Sequence, residues 1–145
     1  FDYRLRSDRR VHLWERTHIA KVSIEELKGP FDLVVADLSF TSVANLVGPL
    51  SAFLAEEGAL LLLVKPQFEA ARSAVPSGGV VTDPEVWLSC LMSVSDSMQS
   101  HGISVTGACA SVLRGAEGNQ EFFVLGRRGI DPHLGTLTEA IRSVT

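Results

Sequence analysis

The sequence predicts an α/β domain, and three observations carry that prediction. Short apolar runs bounded by Gly and Pro alternate with segments of helical period, the pattern of βα units packed around a sheet. The chain has 145 residues, 46% hydrophobic and 21% charged, with a mean hydropathy of +0.20, so it can bury one sizeable core and is too apolar for disorder. Asp37, Lys65 and Glu121 stand where apolar runs end or begin. The sheet is expected to be mostly parallel and to close with an antiparallel hairpin.

Taken in order, residues 11–14 read as a short strand and residues 24–28 as at most one helical turn. Residues 31–37 follow Gly29-Pro30, are β-branched at their centre and predict a buried strand. Residues 42–57 predict a helix: Val43, Leu46, Val47, Leu50, Phe53 and Leu54 recur three and four apart. Thr41 or Ser42 caps it, Pro49 kinks it and Gly58 stops it. Residues 59–64 are a second buried strand. The stretch that follows carries Pro66, Pro76, Gly78, Gly79 and Pro84 without sustained period, and a loop of that length in a compact domain is more often functional than idle.

Asp83 then caps a helix that has Pro84 at its first position and runs to about Ser100, with Trp87, Leu88, Leu91, Met92 and Met98 on its inner face. Strands are predicted over residues 103–113 and 120–125. The Gly- and Asn-containing connector between them makes the pair antiparallel. Residues 134–144 are weakly helical.

Composition also excludes. The apolar run over residues 59–64 is six residues long, far short of the ~20 that span a bilayer. Residues 1–10 carry Arg4, Arg6, Arg9 and Arg10 with no apolar core, so no signal peptide is visible, and a segment is expected upstream of Phe1. Cys90 and Cys109 form no CxxC pair and read as buried reduced thiols, which points to the cytoplasm. A net charge of −4 argues against gripping a polyanion unaided. His12, His18, His101 and His133 lack metal-ligand spacing, so no metal is assigned. Gly78-Gly79 has neither a strand directly before it nor a following Lys-Ser or Lys-Thr, and reads as a flexible lid rather than a phosphate cradle. Ser39 lacks a G-x-S-x-G elbow and is expected to hydrogen-bond locally.

Open parallel sheets bind ligands outside the carboxyl ends of their strands, which puts Asp37 and Lys65 at one crevice. An antiparallel strand starts where its parallel neighbours finish, so Glu121 joins them. Each alone reads as a solvated residue at a strand end, and their convergence reverses that reading. A lysine between two carboxylates at the edge of an apolar sheet is suited to proton transfer.

The wording around these residues resembles a known group. Residues 34–40 (VVADLSF), 63–69 (LVKPQFE), 78–84 (GGVVTDP) and 118–122 (GNQEF), together with Glu15-Arg16-Thr17, are similar in order and spacing to the hemolysin A-type (TlyA) members of the FtsJ-like methyltransferases. The resemblance implies a Rossmann-like fold, present in part, that uses S-adenosylmethionine to methylate ribose 2′-hydroxyls of ribosomal RNA. It implies Asp37, Lys65 and Glu121 as catalytic residues, with Lys65 taking the ribose proton. Glu15, Arg16, Thr17 and Asp37 are then cofactor contacts, and Ser39, Phe40, Phe68 and Asn119 substrate contacts. Whether Phe40 and Phe68 stack on a base or pack as core or lid stays open.

The resemblance also implies that the group's first catalytic Lys, its glycine-rich cofactor loop, the acidic residue for the cofactor ribose and an S4-like RNA-binding domain lie upstream of Phe1, and that His18 replaces a common Asn. The first strands of the sheet would then be missing between residues 11–14 and residues 31–37. Residues 1–28 are accordingly expected to be displaced or poorly packed, or the exposed edge to be covered by self-association. The implied partner is ribosomal RNA or a ribosomal subunit, and a piece of this kind is expected to be inactive alone. Two other functions compete with this reading. A membrane-lytic hemolysin is disfavoured by the short apolar runs, and a non-catalytic RNA or ribosome interaction module by the retention of Asp37, Lys65 and Glu121.

Overall fold

A computed structural model describes residues 1–130 and 135–145. Four strands, β1 (Phe31–Asp37), β2 (Leu54–Val64), β3 (Ile103–Ala110) and β4 (Phe122–Arg128), form one sheet in the order β1-β2-β4-β3. β1 pairs parallel to β2, whereas β4 runs antiparallel to both β2 and β3. The α/β class and the C-terminal antiparallel pair stand. The parallel share is smaller than the alternation of elements suggests, one pairing of three.

The helices are α1 (Tyr3–Arg6), α2 (Ile24–Leu27), α3 (Val47–Ser51), α4 (Pro66–Glu69), α5 (Pro84–Ser100) and α6 (Gly135–Arg142). α3, α5 and α6 share one core with Ala36, Leu60, Leu62, Val64, Ile103, Val105, Phe122 and Val124 on a single face of the sheet. Side chains alternate across a strand, so the neighbours of these residues point the other way. There Leu33 and Val35 are 56% and 64% exposed, and Leu61, Leu63, Phe123 and Leu125 are half-buried outside the core cluster. The expectation that β1 is buried on both faces fails for this reason: no described helix covers its second face.

The 42–57 helix also fails. After a 3₁₀ turn at Ala44–Leu46, only Val47–Ser51 is α-helical, and Leu54 already belongs to β2. The Phe31 N–H donates to the Phe53 carbonyl at 2.8 Å, which draws the chain into the sheet, and Gly48-Pro49 gives a five-residue helix little propagation of its own. The extra residues of β2 are absorbed as a bulge, where Phe31 faces Leu54 but Leu33 already faces Ala59.

α5 matches its predicted range, with the Asp83 side chain accepting from Glu85 N–H. Its inner face is Trp87, Cys90, Leu91, Val94, Ser95 and Met98, while Leu88 is half-buried and Met92 is exposed. β3 stops at Ala110, short of 113, and Val112 and Leu113 are exposed. β4 begins at Phe122 and extends to Arg128. Cys109 is exposed, against expectation, because it faces the uncovered side of β3. In the tail, α6 is helical, and His133 and Leu134 lie outside the described residues.

None of residues 1–30 is buried, and residues 11–14 form no strand. β1 therefore keeps an unpaired edge among the described residues. Among those residues no helix is long and apolar enough to cross a membrane, and no cluster of metal-ligating side chains is found.

One substitution made on the two faces measures how one-sided the sheet is. Val124→Ala, at a fully buried position, is expected to lower unfolding stability by about 1.5–3 kcal/mol. Val35→Ala should cost less than about 0.5 kcal/mol. Equal losses in chemical denaturation would mean that the second face is also covered. Burial, followed by the Glu69 charge, pushes the Cys90 thiol up to about 11. At pH 8 a thiol reagent should therefore label Cys109 promptly and Cys90 only on unfolding, with native labelling of Cys90 appearing as the pH nears 11.

Candidate active site

Asp37 ends β1, and Lys65 follows the last residue of β2. Because the two strands are parallel neighbours, both residues emerge at the same rim. Lys65 Nζ lies 2.6 Å from Asp37 Oδ1 and donates to Ser39 Oγ at 3.2 Å. The Lys65 side chain is 12% exposed and that of Asp37 is 70% exposed. The pair is thus an ammonium sunk into the rim and a carboxylate that faces outward.

β4 brings Glu121 to the same place. Val64 faces Phe122 as the last pair of the antiparallel ladder, so Lys65, which follows Val64, and Glu121, which precedes Phe122, stand at the same end of the two strands, with no ion pair between them among the described residues. Glu121 is buried at 8% exposure although it belongs to the open face. Its cover is the turn between β3 and β4. A Cβ on Gly115 would meet the Glu121 carboxylate, so glycine lets that backbone pass close over it. The base of the turn is tied down by Ser111 N–H to the Glu121 carbonyl at 2.8 Å and by Gly115 N–H to the Asn119 carbonyl at 2.9 Å.

Asn119 has a different part from the substrate contact expected of it. It is 2% exposed, and its amide is used internally: Oδ1 accepts from Val81 N–H, while Nδ2 donates to the carbonyls of Gly79 and Ala116. It staples the 79–81 strap to the Glu121 turn. That strap is therefore pinned, not a free lid. Trp87 Nε1 adds a hydrogen bond to the Val81 carbonyl.

Ser39 reaches across to Lys65 rather than bonding locally. Phe40 is 91% exposed and its ring lies 5.3 Å from that of Phe68, so the two are joined at the rim outside the core. Glu15, Arg16 and Thr17 are not drawn in. Glu15 pairs with Arg6 at 2.9 Å, Thr17 Oγ1 donates to the Glu15 carbonyl, and no hydrogen bond or ion pair joins them to Asp37 among the described residues. Residues 11–14 form no strand, so no sheet pairing places this segment at the rim among the described residues. Sequence reasoning missed Glu69, whose carboxylate accepts from Ser42 Oγ at 2.6 Å and from Val43 N–H at 2.5 Å. Its position within the same LVKPQFE stretch as Lys65 was the available signal.

An α/β sheet with a lysine–aspartate ion pair at the carboxyl ends of two parallel strands is an arrangement found in group-transfer enzyme domains. Residues 1–128 match the FtsJ-like methyltransferase family, and the chain belongs to it. Over 127 residues it is 39% identical to the 16S/23S rRNA (cytidine-2′-O)-methyltransferase TlyA of Mycobacterium tuberculosis, an alignment that takes in 88% of this chain and 47% of that protein. The chain thus spans about half the length of this relative. Solved structures give the same fold. A candidate hemolysin from Streptococcus thermophilus superposes with a TM-score of 0.89 at 27% identity over 98% of this chain and 53% of that one. A second, from Lactococcus lactis, has a TM-score of 0.85 at 28% identity over 95% and 70%.

Adding a methyl group at Gly115 should strike the Glu121 carboxylate. Gly115→Ala is expected to cost about 1–3 kcal/mol of stability and to shift the amide resonances of Ser111 and Glu121. Unchanged spectra would show that the turn does not rest on Glu121.

Proposed function

We propose that this chain forms the proton-handling half of an S-adenosylmethionine-dependent methyltransferase acting on ribose 2′-hydroxyls of ribosomal RNA, in the cytoplasm where ribosomes are made. The observation that carries the reading is the Lys65–Asp37 contact at 2.6 Å, with Glu121 at the same end of the neighbouring strand, in a chain of the FtsJ-like family. S-adenosylmethionine supplies, when bound, a methyl group on a positively charged sulfur. A hollow of about 170 Å³ bordered by Val35, Ala36, Asp37, Leu61, Leu63 and Phe123 has an apolar floor and the exposed Asp37 carboxylate at its edge. That donor set fits the cationic end of the cofactor. The hollow is too small for the adenosine, because whole ligands of that size take about 300 Å³ or more.

Lys65 Nζ is the atom that receives the 2′-hydroxyl proton. As a free amine it accepts, and once charged it is held by Asp37 and Ser39 Oγ. Glu121, buried at the same end of the neighbouring strand, has the part of orienting the lysine. Phe40 presents a free ring for stacking on an unpaired base, with Phe68 behind it. The electrophile needs no activation by the protein, so positioning is what this rim contributes.

Transfer of a tritiated methyl group to ribosomal RNA, with alkaline hydrolysis locating the label on the ribose, tests this in a form extended upstream to the relatives' length. Lys65→Ala should lower the rate by about 10²–10⁴-fold with cofactor affinity retained. Label on a base, or full activity in the Lys65 variant, contradicts the assignment.

A further inference from the structure

Two segments from different strands are joined side by side at the rim. One is the loop after β1, residues 38–43, and the other is Lys65 with the short α4 that follows. Three rungs connect them in register: Lys65 Nζ to Ser39 Oγ at 3.2 Å, the Phe68 ring against Phe40 at 5.3 Å, and the Glu69 carboxylate on Ser42 Oγ and Val43 N–H. The first rung belongs to the proposed chemistry and the second to an exposed aromatic pair. Only the third is part-buried, charge-assisted and two-pronged, which makes it the strongest of the three.

The loop needs such an anchor. Phe40 has a φ of +62°, a left-handed conformation that is unfavourable for a bulky residue and persists only where the surroundings over-determine it. With 91% of its surface in solvent, Phe40 does not earn that conformation by burial. Its α4 neighbours do better. Phe68 and Glu69 N–H both donate to the Lys65 carbonyl, at 2.8 and 3.2 Å, so Glu69 is rigidly referenced to the residue that carries Nζ.

We infer that Glu69 is a positioning residue for the methyl-transfer site: its carboxylate fixes the 38–43 loop against α4 and so sets where Ser39 and Phe40 stand relative to Lys65. This rests on the proposed function, and Glu69 itself touches neither of the reacting groups. Removing the clamp leaves the strand pairings and the lining of the cofactor hollow in place, because neither includes residues 38–43, and Val43 keeps its own seat in the core. It frees Ser39 to leave Lys65, and misplacement of a catalytic group by about 1 Å costs up to about 100-fold in rate.

The test uses Glu69→Ala and Glu69→Gln, the second because a carboxamide can still accept from Val43 N–H and donate to Ser42 Oγ. Amide hydrogen exchange on this chain reads the clamp itself. Methyl transfer to ribosomal RNA by the form extended upstream, assayed first as wild type, reads its consequence. In Glu69→Ala, Val43 should lose its protection while Leu62 and Val124 keep theirs. kcat should fall about 10- to 100-fold with the KM for S-adenosylmethionine unchanged, and Glu69→Gln should restore most of both. Loss of protection at Leu62 and Val124 as well would make Glu69 a general stabiliser and overturn the inference. So would an unprotected Val43 with normal kcat, or a Glu69→Gln variant as impaired as Glu69→Ala. A wild type that methylates no RNA removes the proposed function and this role together, and is told apart from the other failures because Val43 protection in Glu69→Ala is measured independently of turnover.

Discussion

The antiparallel register between β2 and β4 is the constraint on which the site depends. Val64 faces Phe122, so the chain leaves β2 with Lys65 at the point where it enters β4 with Glu121. A slip of one residue would turn Lys65 into the helix-covered face, among Leu62, Val64 and Phe122, where an unpaired ammonium is prohibitively costly. The core thereby enforces the site: alternate residues that must be buried against α5 and α6 oblige the intervening ones to face the other way. Parallel pairing with β1 then supplies Asp37 at the same rim without further provision.

Around that register the loops are braced rather than left free. Asn119 secures the strap at residues 79–81 to the turn over Glu121, and Glu69 secures the loop after β1 to the turn after Lys65. Both braces are polar side chains spent on backbone or hydroxyl groups of another segment. Such bonds fix geometry as much as they add stability, since a hydrogen bond contributes only about 1 kcal/mol net when neutral and about 1.5–3 kcal/mol when one partner is charged. A rim held this way is ordered before any substrate arrives, which suits a reaction whose demand on the protein is placement.

Much of this was legible in the sequence, for identifiable reasons. β1, α5 and the β3–β4 pair announce themselves through Pro-capped, β-branched or Gly-rich local signals that tertiary contacts reinforce. Asp37, Lys65 and Glu121 could be brought together because strand direction alone decides at which end a residue emerges. The helix over 42–57 misled because Phe53 and Leu54 satisfy a helical period while their backbone is claimed by Phe31, a long-range pairing that local period does not contain. Residues 11–14 misled in the opposite sense: a strand needs a partner, and this segment pairs with no strand among the described residues. Asn119 was legible as important but not as internal, since burial of an amide is visible only once the strap and the turn are both in place.

Zero-length carbodiimide coupling followed by peptide mapping examines the convergence of charges most directly. The chain has only three lysines, Lys21, Lys28 and Lys65, which makes the products easy to assign. The account predicts an isopeptide bond between Lys65 and Asp37 as the main product involving Lys65, with any minor product linking it to Glu121. Coupling of Lys65 to carboxylates elsewhere, with Asp37 joined instead to Lys21 or Lys28, would contradict it.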